Sequence, residues 1–401
     1  MKKNLLLLAV AVAALASCSN DETVATNQTL EDANTISFRT FVGGQTRAAD
    51  NITGFAAGSS FKVTAFATGT NTTAYINDET FTGSGSPVAF NSTNKYYWPA
   101  GKLDFYAYAP SGNSQVTYTS WKQFDVEPAV TEETAGSQVD LVYASVANKG
   151  KTDGAGGRLP LNFRHTGSKV VLKVTHNNTS SSANLYFKVK AWAVGYLDKK
   201  GTFTFKDKTD NDYVSTATNN TGSADNTNVL PSGYWTNKTG WATDKQVYRS
   251  TALTSGNEKI IAGVPNTPTG AETTYTFDEE MILVPQGAIT AVSAYDNKTT
   301  AGKPNGSYVA VQLAIYNKAD NTLIQDYTWA MWPVSITWVP GKKYTYNVNL
   351  DDGGYFETNT DGGEEDDTNL DPILEGSIIS FASVTVDSWN NLDATNATAV
   401  Q

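Results

Sequence analysis

Across 401 residues the chain holds one cysteine, Cys18, two histidines, His165 and His176, and three methionines. A single thiol leaves no disulfide framework and no thiolate metal site, so stability has to come from packing alone. The histidines fall in neither an HExxH nor another paired-ligand spacing, which argues against a zinc centre. No GxSxG elbow, Walker loop or strand-linked GxGxxG occurs, and DGAGG at 153–157 reads as a turn. Lys and Arg number 29 against 40 Asp and Glu, a net charge of −11, and no basic run stands out to neutralise phosphates, so nucleic acid is not an expected partner. Beyond the N-terminal apolar stretch no run approaches the roughly 18 residues that span a bilayer. No long segment shows helical periodicity.

What the chain does contain is alternation. SFKVTAFAT (60–68) puts Phe61, Val63 and Ala65 on one face, and KLDFYAYAP (102–110) does the same with Leu103, Phe105 and Ala107. NLYFKVKAWAV (184–194), SYVAVQLAIY (307–316) and KKYTYNVNL (342–350) repeat the pattern, most clearly in Val309, Val311, Leu313 and Ile315. Period-two alternation bounded by Gly, Asn, Asp, Pro and Ser predicts half-buried strands joined by turns. The fold expected is all-β, two antiparallel β-sandwich domains in tandem, with the boundary at Gly167-Ser168 between 48–166 and 167–350. Residues 205–260, rich in Asn, Thr, Asp and Lys, read as a long decorated loop. The stretch 351–376 carries an acidic block, Glu364 to Asp367, and reads as a solvated linker before a last strand and tail at 377–401.

The N-terminus reads as an export signal: Lys2 and Lys3, an apolar run from Leu5 to Ala14, then Ala16-Ser17 before Cys18. Leu15-Ala16-Ser17-Cys18 resembles the bacterial lipobox, whose cysteine is acylated, and the acidic Ser19-Asn20-Asp21-Glu22 is similar to a Bacteroidetes surface-export tag.

Next comes ISFRTFVGGQTRAAD (36–50), a strand pattern with Ile36 and Phe38 on one face and Val42 beyond. Arg39 lies inside the strand, where a paired backbone cannot enter a protease, whereas Arg47 follows Gly43-Gly44 in a segment that can. Ile379-Ser380-Phe381 repeats Ile36-Ser37-Phe38 near the other end, in SIISFASVTVDSW.

Other candidate chemistry reads more simply as structure. His165 follows an alternating strand and reads as a buried or turn histidine. Asp278, Glu279 and Glu280 are the obvious paired-carboxylate candidates, yet they precede MILVPQ as a charged turn would. Asp351, Asp352, Asp361 and Asp366 lack the alternation and closing glutamate of a calcium loop. Of nine tryptophans, Trp98 and Trp332 precede prolines and Trp338 and Trp389 close strand patterns, which suits packing better than a sugar platform.

In order along the chain, YYWPAGKLDFYAYAP (96–110), VDLVYA (139–144), LPLNFRHTGSKV (159–170), MILVPQ (281–286), WVPGKKYTYNV (338–348) and VTVDSW (384–389) follow the lipobox and the TRA at 46–48. This series resembles the fimbrillin family of Bacteroidetes. The resemblance implies two transthyretin-like sandwiches, no catalytic, cofactor or metal residues, and a structural role in an adhesive fimbria at the outer membrane and cell surface. It further implies a signal peptide over 1–18, lipid on Cys18, a propeptide over 19–47 and cleavage between Arg47 and Ala48 by a trypsin-like protease. Ile36, Phe38 and Val42 would then be the strand that leaves, and Ile379, Phe381, Val384 and Val386 the donor that fills a neighbour's groove. The partners implied are other fimbrial subunits, the protease, the outer membrane through the lipid, and a surface receptor. The main alternative is a monomeric surface lipoprotein that binds glycans; a secreted hydrolase ranks behind it.

Overall fold

The computed structural model describes residues 34–42, 54–112, 114–121, 123–127, 138, 140–153, 158–177, 183–198, 200–205, 235–237, 245–263, 268–292, 295–296, 303–304, 306–338, 340–352, 355–356, 371–372 and 383–388. Cys18, Arg47, Ala48, Ile379, Phe381 and Trp389 lie outside the described residues, as do the side chains of Val42 and Val386.

The alternating segments form strands. In the first part of the chain these are β1 (Ser37–Val42), β2 (Ser60–Ala67), β3 (Ala74–Ser84), β4 (Ala89–Asn91), β5 (Leu103–Ala109), β6 (Val116–Ser120), β7 (Gln123–Val126), β8 (Val142–Lys149) and β9 (Arg158–His165). Then follow β10 (Ser168–Thr175), β11 (Leu185–Asp198), β12 (Gly201–Thr204), β13 (Trp235–Asn237), β14 (Lys245–Arg249), β15 (Lys259–Ile261), β16 (Thr274–Thr276) and β17 (Met281–Leu283). The remainder are β18 (Tyr295–Asp296), β19 (Lys303–Pro304), β20 (Tyr308–Asn317), β21 (Leu323–Pro333), β22 (Lys342–Asn349), β23 (Tyr355–Phe356), β24 (Asp371–Pro372) and β25 (Ser383–Ser388).

Seven strands close a barrel in the order β1-β4-β3-β2-β5-β8-β9. The inward faces match the alternation: Phe61, Val63 and Ala65 of β2 meet Phe105 and Ala107 of β5 and Leu159, Leu161 and Phe163 of β9 in one apolar core. Further along, β16-β10-β22-β25 and β14-β11-β20-β21-β23-β24 form two sheets whose inner faces share a second core. Val309, Val311, Leu313 and Ile315 all point into it, beside Trp192 and Trp332 of neighbouring strands and together with Trp338. The sheets are not wholly antiparallel. Two pairs run parallel, β1 along β9 and β10 along β22, a pairing that only a long intervening excursion of chain permits.

Three expectations need correction. β5 is buried on both faces, because Tyr106 and Tyr108 are covered by a further sheet, β13-β12-β7-β6. That sheet joins strands from either side of the expected boundary, so Phe124 and Val126 pack with Phe203, Phe205 and Trp235. The stretch 205–260 is not simply a loop: β13 and β14 lie within it, β15 begins in it, and Trp235 and Tyr248 are buried. Phe205, Trp235 and Tyr248 are large aromatics that each fill a core site. Nor does the acidic stretch begin in solvent. Asp351 is 2% exposed; its carboxylate pairs with His176 Nδ1 at 2.5 Å and accepts from Asn177 N at 2.6 Å. β23 and β24 within that stretch extend the sheet edge beside β21.

Candidate assembly site

β1 owes its place to two side chains. Ile36 is 3% exposed and Phe38 fully buried, while Arg39 between the strand's inward positions is exposed. Phe38 meets Phe81, Phe105 and Phe61 edge-on, with ring centroids at 4.8, 5.5 and 5.9 Å. Such edge-to-face contacts align the positive ring edge with a negative face and add to burial itself. Along its length β1 follows β9 from Ser37↔Arg158 to Val42↔Phe163, and among the described residues its register pair with β4 is Phe38↔Phe90.

Two clips that sequence reasoning missed hold the ends. Upstream, Ile36 N donates to Tyr96 O at 2.7 Å and Trp98 N to Asn34 O at 3.0 Å, so the YYWP segment acts as a short antiparallel partner. The side chains of Lys151 and Asn34 also hydrogen-bond. Downstream, Phe55 N donates to Thr40 Oγ1 at 2.9 Å, and a Cβ on Gly54 would lie 2.4 Å from Thr40 O, so only glycine allows this approach. The chain that bears Arg47 therefore leaves β1 after Val42 and is back beside Thr40 at Gly54-Phe55. The glycine in GF was the available signal.

The consequences of removing β1 follow from the register. β8 pairs with β9 only at Val142↔His165 and Tyr143↔Arg164, so for Arg158 to Phe163 the register partner is β1. Without it, that run of backbone becomes an open edge above a core that has lost Phe38.

The other end of the chain lies on a different sheet. β25 pairs antiparallel with β22, from Lys342↔Ser388 to Asn347↔Ser383, as an edge strand. Val384 is 43% exposed, one of six large hydrophobics exposed among the described residues.

The remaining candidates are occupied structurally. Glu280 pairs with Lys169 at 2.9 Å and also with Lys343, two cations that the parallel β10–β22 register sets side by side. Burial raises the Glu280 carboxyl, but hydrogen bonds and charges from Lys343 and Lys169 outweigh it, leaving the pKa below its usual range. Burial likewise pushes the Lys169 ammonium down, partly offset by Glu280 and Asp140. Glu279 accepts from Thr251 N at 2.7 Å. His165 is buried with Asp140, Nδ1 to Oδ1 at 2.9 Å. Trp332 and Trp338 are fully buried, and Trp98 packs partly buried on the barrel core, so none of the three is a platform for a sugar ring.

A family model described as fimbrillin-like matches residues 46–366, leaving β1 and β25 just outside the matched span. Among solved structures, a fimbrial protein from Bacteroides vulgatus is 12% identical, with a TM-score of 0.49, over 89% of this chain and 100% of its own. A candidate cell adhesion protein from Bacteroides uniformis is 15% identical, with a TM-score of 0.42, over 90% of this chain and 100% of its own. The fimbrial anchor protein Mfa2 from Porphyromonas gingivalis is 11% identical, with a TM-score of 0.32, over 89% and 98%. A search of curated proteins finds no match. With the family model covering most of its length, the chain belongs to the fimbrillin-like family, a structural family of fimbriae and not one of enzymes.

Proposed function

We propose that the chain is a subunit of an adhesive surface fimbria, exported as a lipoprotein acylated on Cys18, cut between Arg47 and Ala48, and polymerised by strand exchange. The observation that carries this reading is the burial of Phe38 in the middle of the barrel core on a strand tied to the rest through a segment containing a single arginine. A cut there leaves β1 held only by noncovalent contacts. Its departure would uncover the β9 edge, and addition of another strand would restore both the pairing and the buried aromatic. A C-terminal strand carrying Ile379, Phe381, Val384 and Val386 would suit that slot, since Ile-Ser-Phe supplies the same two side chains at the same spacing as Ile36 and Phe38.

The test uses purified precursor and a trypsin-like protease. Expected are a new N-terminus at Ala48 and, with time, oligomers; Arg47→Ala should give neither. If Arg47→Ala polymerises as readily as wild type, the reading fails.

A further inference from the structure

The face of the β14-β11-β20-β21 sheet turned away from its core carries a row of cations laid on aromatic rings. Lys188 Nζ sits 4.8 Å from the Tyr316 ring centroid, Lys190 Nζ 5.5 Å from Tyr327, and the Arg249 guanidinium 5.5 Å from Trp329. The register sets them on one face: Lys188 pairs with Ala314, Arg249 with Ala193 and Trp329 with Gln312, while the alternate residues Val189, Val311 and Leu313 point into the core. Tyr186 stacks on Tyr316 at 5.0 Å and closes one end of the row. All three cations are half-buried, and no carboxylate pairs with Lys188 or Lys190 among the described residues. On a chain of net charge −11 this is a local reversal of sign. From Lys188 to the level of Ala193, five residues along the strand, the row extends about 17 Å.

We propose that this face is a binding site for an acidic glycan, one whose carboxylate or sulfate groups recur along an extended chain. A row of fixed cations matches such a chain, and the rings beneath Lys188 and Lys190 hold these two in place without neutralising them. Nucleic acid fits less well. Base stacking needs open ring faces, whereas these rings are already covered by cations, and three cations are few against one charge per roughly 1.7 Å of duplex. The nearest acidic groups at the Tyr327 end are Glu258 and Asp326, whose charge, after burial itself, helps push the Tyr327 hydroxyl up to about 12. Glu258 also accepts from Gly256 N at 2.7 Å, so Glu258→Gln would keep that turn while removing a repelling charge.

The site lies away from β1 and needs no cleavage, so its test uses the intact, uncleaved chain and stands or falls apart from polymerisation. The probe is a heparin oligosaccharide, with neutral dextran and single-stranded DNA of equal length as comparators. With three cations engaged, affinity for heparin should fall about twentyfold between 50 and 200 mM salt. In the double variant Lys188→Gln/Lys190→Gln one cation remains, and the fall should shrink to about threefold. Glu258→Gln should bind more tightly than wild type, a gain that a misfolded protein would not show. The proposal is overturned if the intact chain does not bind heparin at 50 mM salt, if the double variant keeps the wild-type salt dependence, or if single-stranded DNA binds equally well.

Discussion

Replacing Phe38 by alanine is expected to cost the uncleaved chain about 3–5 kcal/mol, the range for truncating a fully buried phenylalanine. The upper part of that range applies here. Phe38 has no exposed surface, and its three edge-on partners lie on β2, β3 and β5, strands fixed by the closed hydrogen-bonding of the barrel. Collapse into the vacated volume would have to break that pairing. Each edge-to-face contact also contributes about 0.5–1.5 kcal/mol beyond its area. Against a total domain stability of about 5–15 kcal/mol, the loss should move the urea midpoint of the barrel visibly. The assay is equilibrium unfolding of full-length precursor followed by tryptophan fluorescence, since Trp98 packs against Phe105 at 5.7 Å in this core. Arg39→Ala, one residue along and exposed, should cost less than about 1 kcal/mol. Equal and small effects of the two substitutions would refute the placement of β1 in the barrel core.

Other substitutions probe the supports. Gly54→Ala forces a Cβ against Thr40 O and should cost about 1–3 kcal/mol in the same unfolding assay, while loosening β1 enough to expose it to limited proteolysis. Tyr346→Phe strands the buried Trp338 Nε1, which donates to the Tyr346 hydroxyl at 2.8 Å; an unpaired donor there should lower stability by about 1–3 kcal/mol in urea titration. Glu280→Gln tests the Lys169–Glu280–Lys343 cluster through pH. Because the folded carboxyl titrates below its usual 4.5, its contribution is fully present above that pH and is lost as pH falls through the lower folded value. The variant should therefore melt below wild type at pH 7, and the gap should close in acid.

How far the fold was legible depended on how each segment is covered. Val309, Val311, Leu313 and Ile315 recur at every second residue and all enter one core, so the period of two reads directly as an inward side, although Tyr308, Ala310 and Ala314 between them are buried as well. β5 obeys the same alternation, yet Tyr106 and Tyr108 are buried too, because what covers them comes from β7 and β12 far along the chain. Trp235 and Tyr248 were hidden by polar neighbours; a single aromatic fills a core site without leaving any periodic trace. Asp351 looked like the first residue of a solvated run and is instead buried in a hydrogen bond with His176, a partner 175 residues away. In the candidate site, Ile36 and Phe38 were legible from alternation, whereas the Tyr96–Trp98 clip depends on backbone groups, which carry no side-chain signature, and the Phe55 clip left only Gly54 as a trace. The Lys188 and Lys190 pair did have a signal, a two-residue spacing on one strand, but their aromatic partners come from β20 and β21.

Strand exchange requires β1 to be replaced and not merely cut. Its most direct test is quantitative mass spectrometry of polymer formed from protease-treated precursor, after size-exclusion chromatography has removed free peptide. If another strand takes the slot, the polymer begins at Ala48 and the peptide bearing Ile36 and Phe38 is absent from it, recovered in the low-mass fraction. Polymer that retains the peptide at one copy per subunit would rule out exchange of β1.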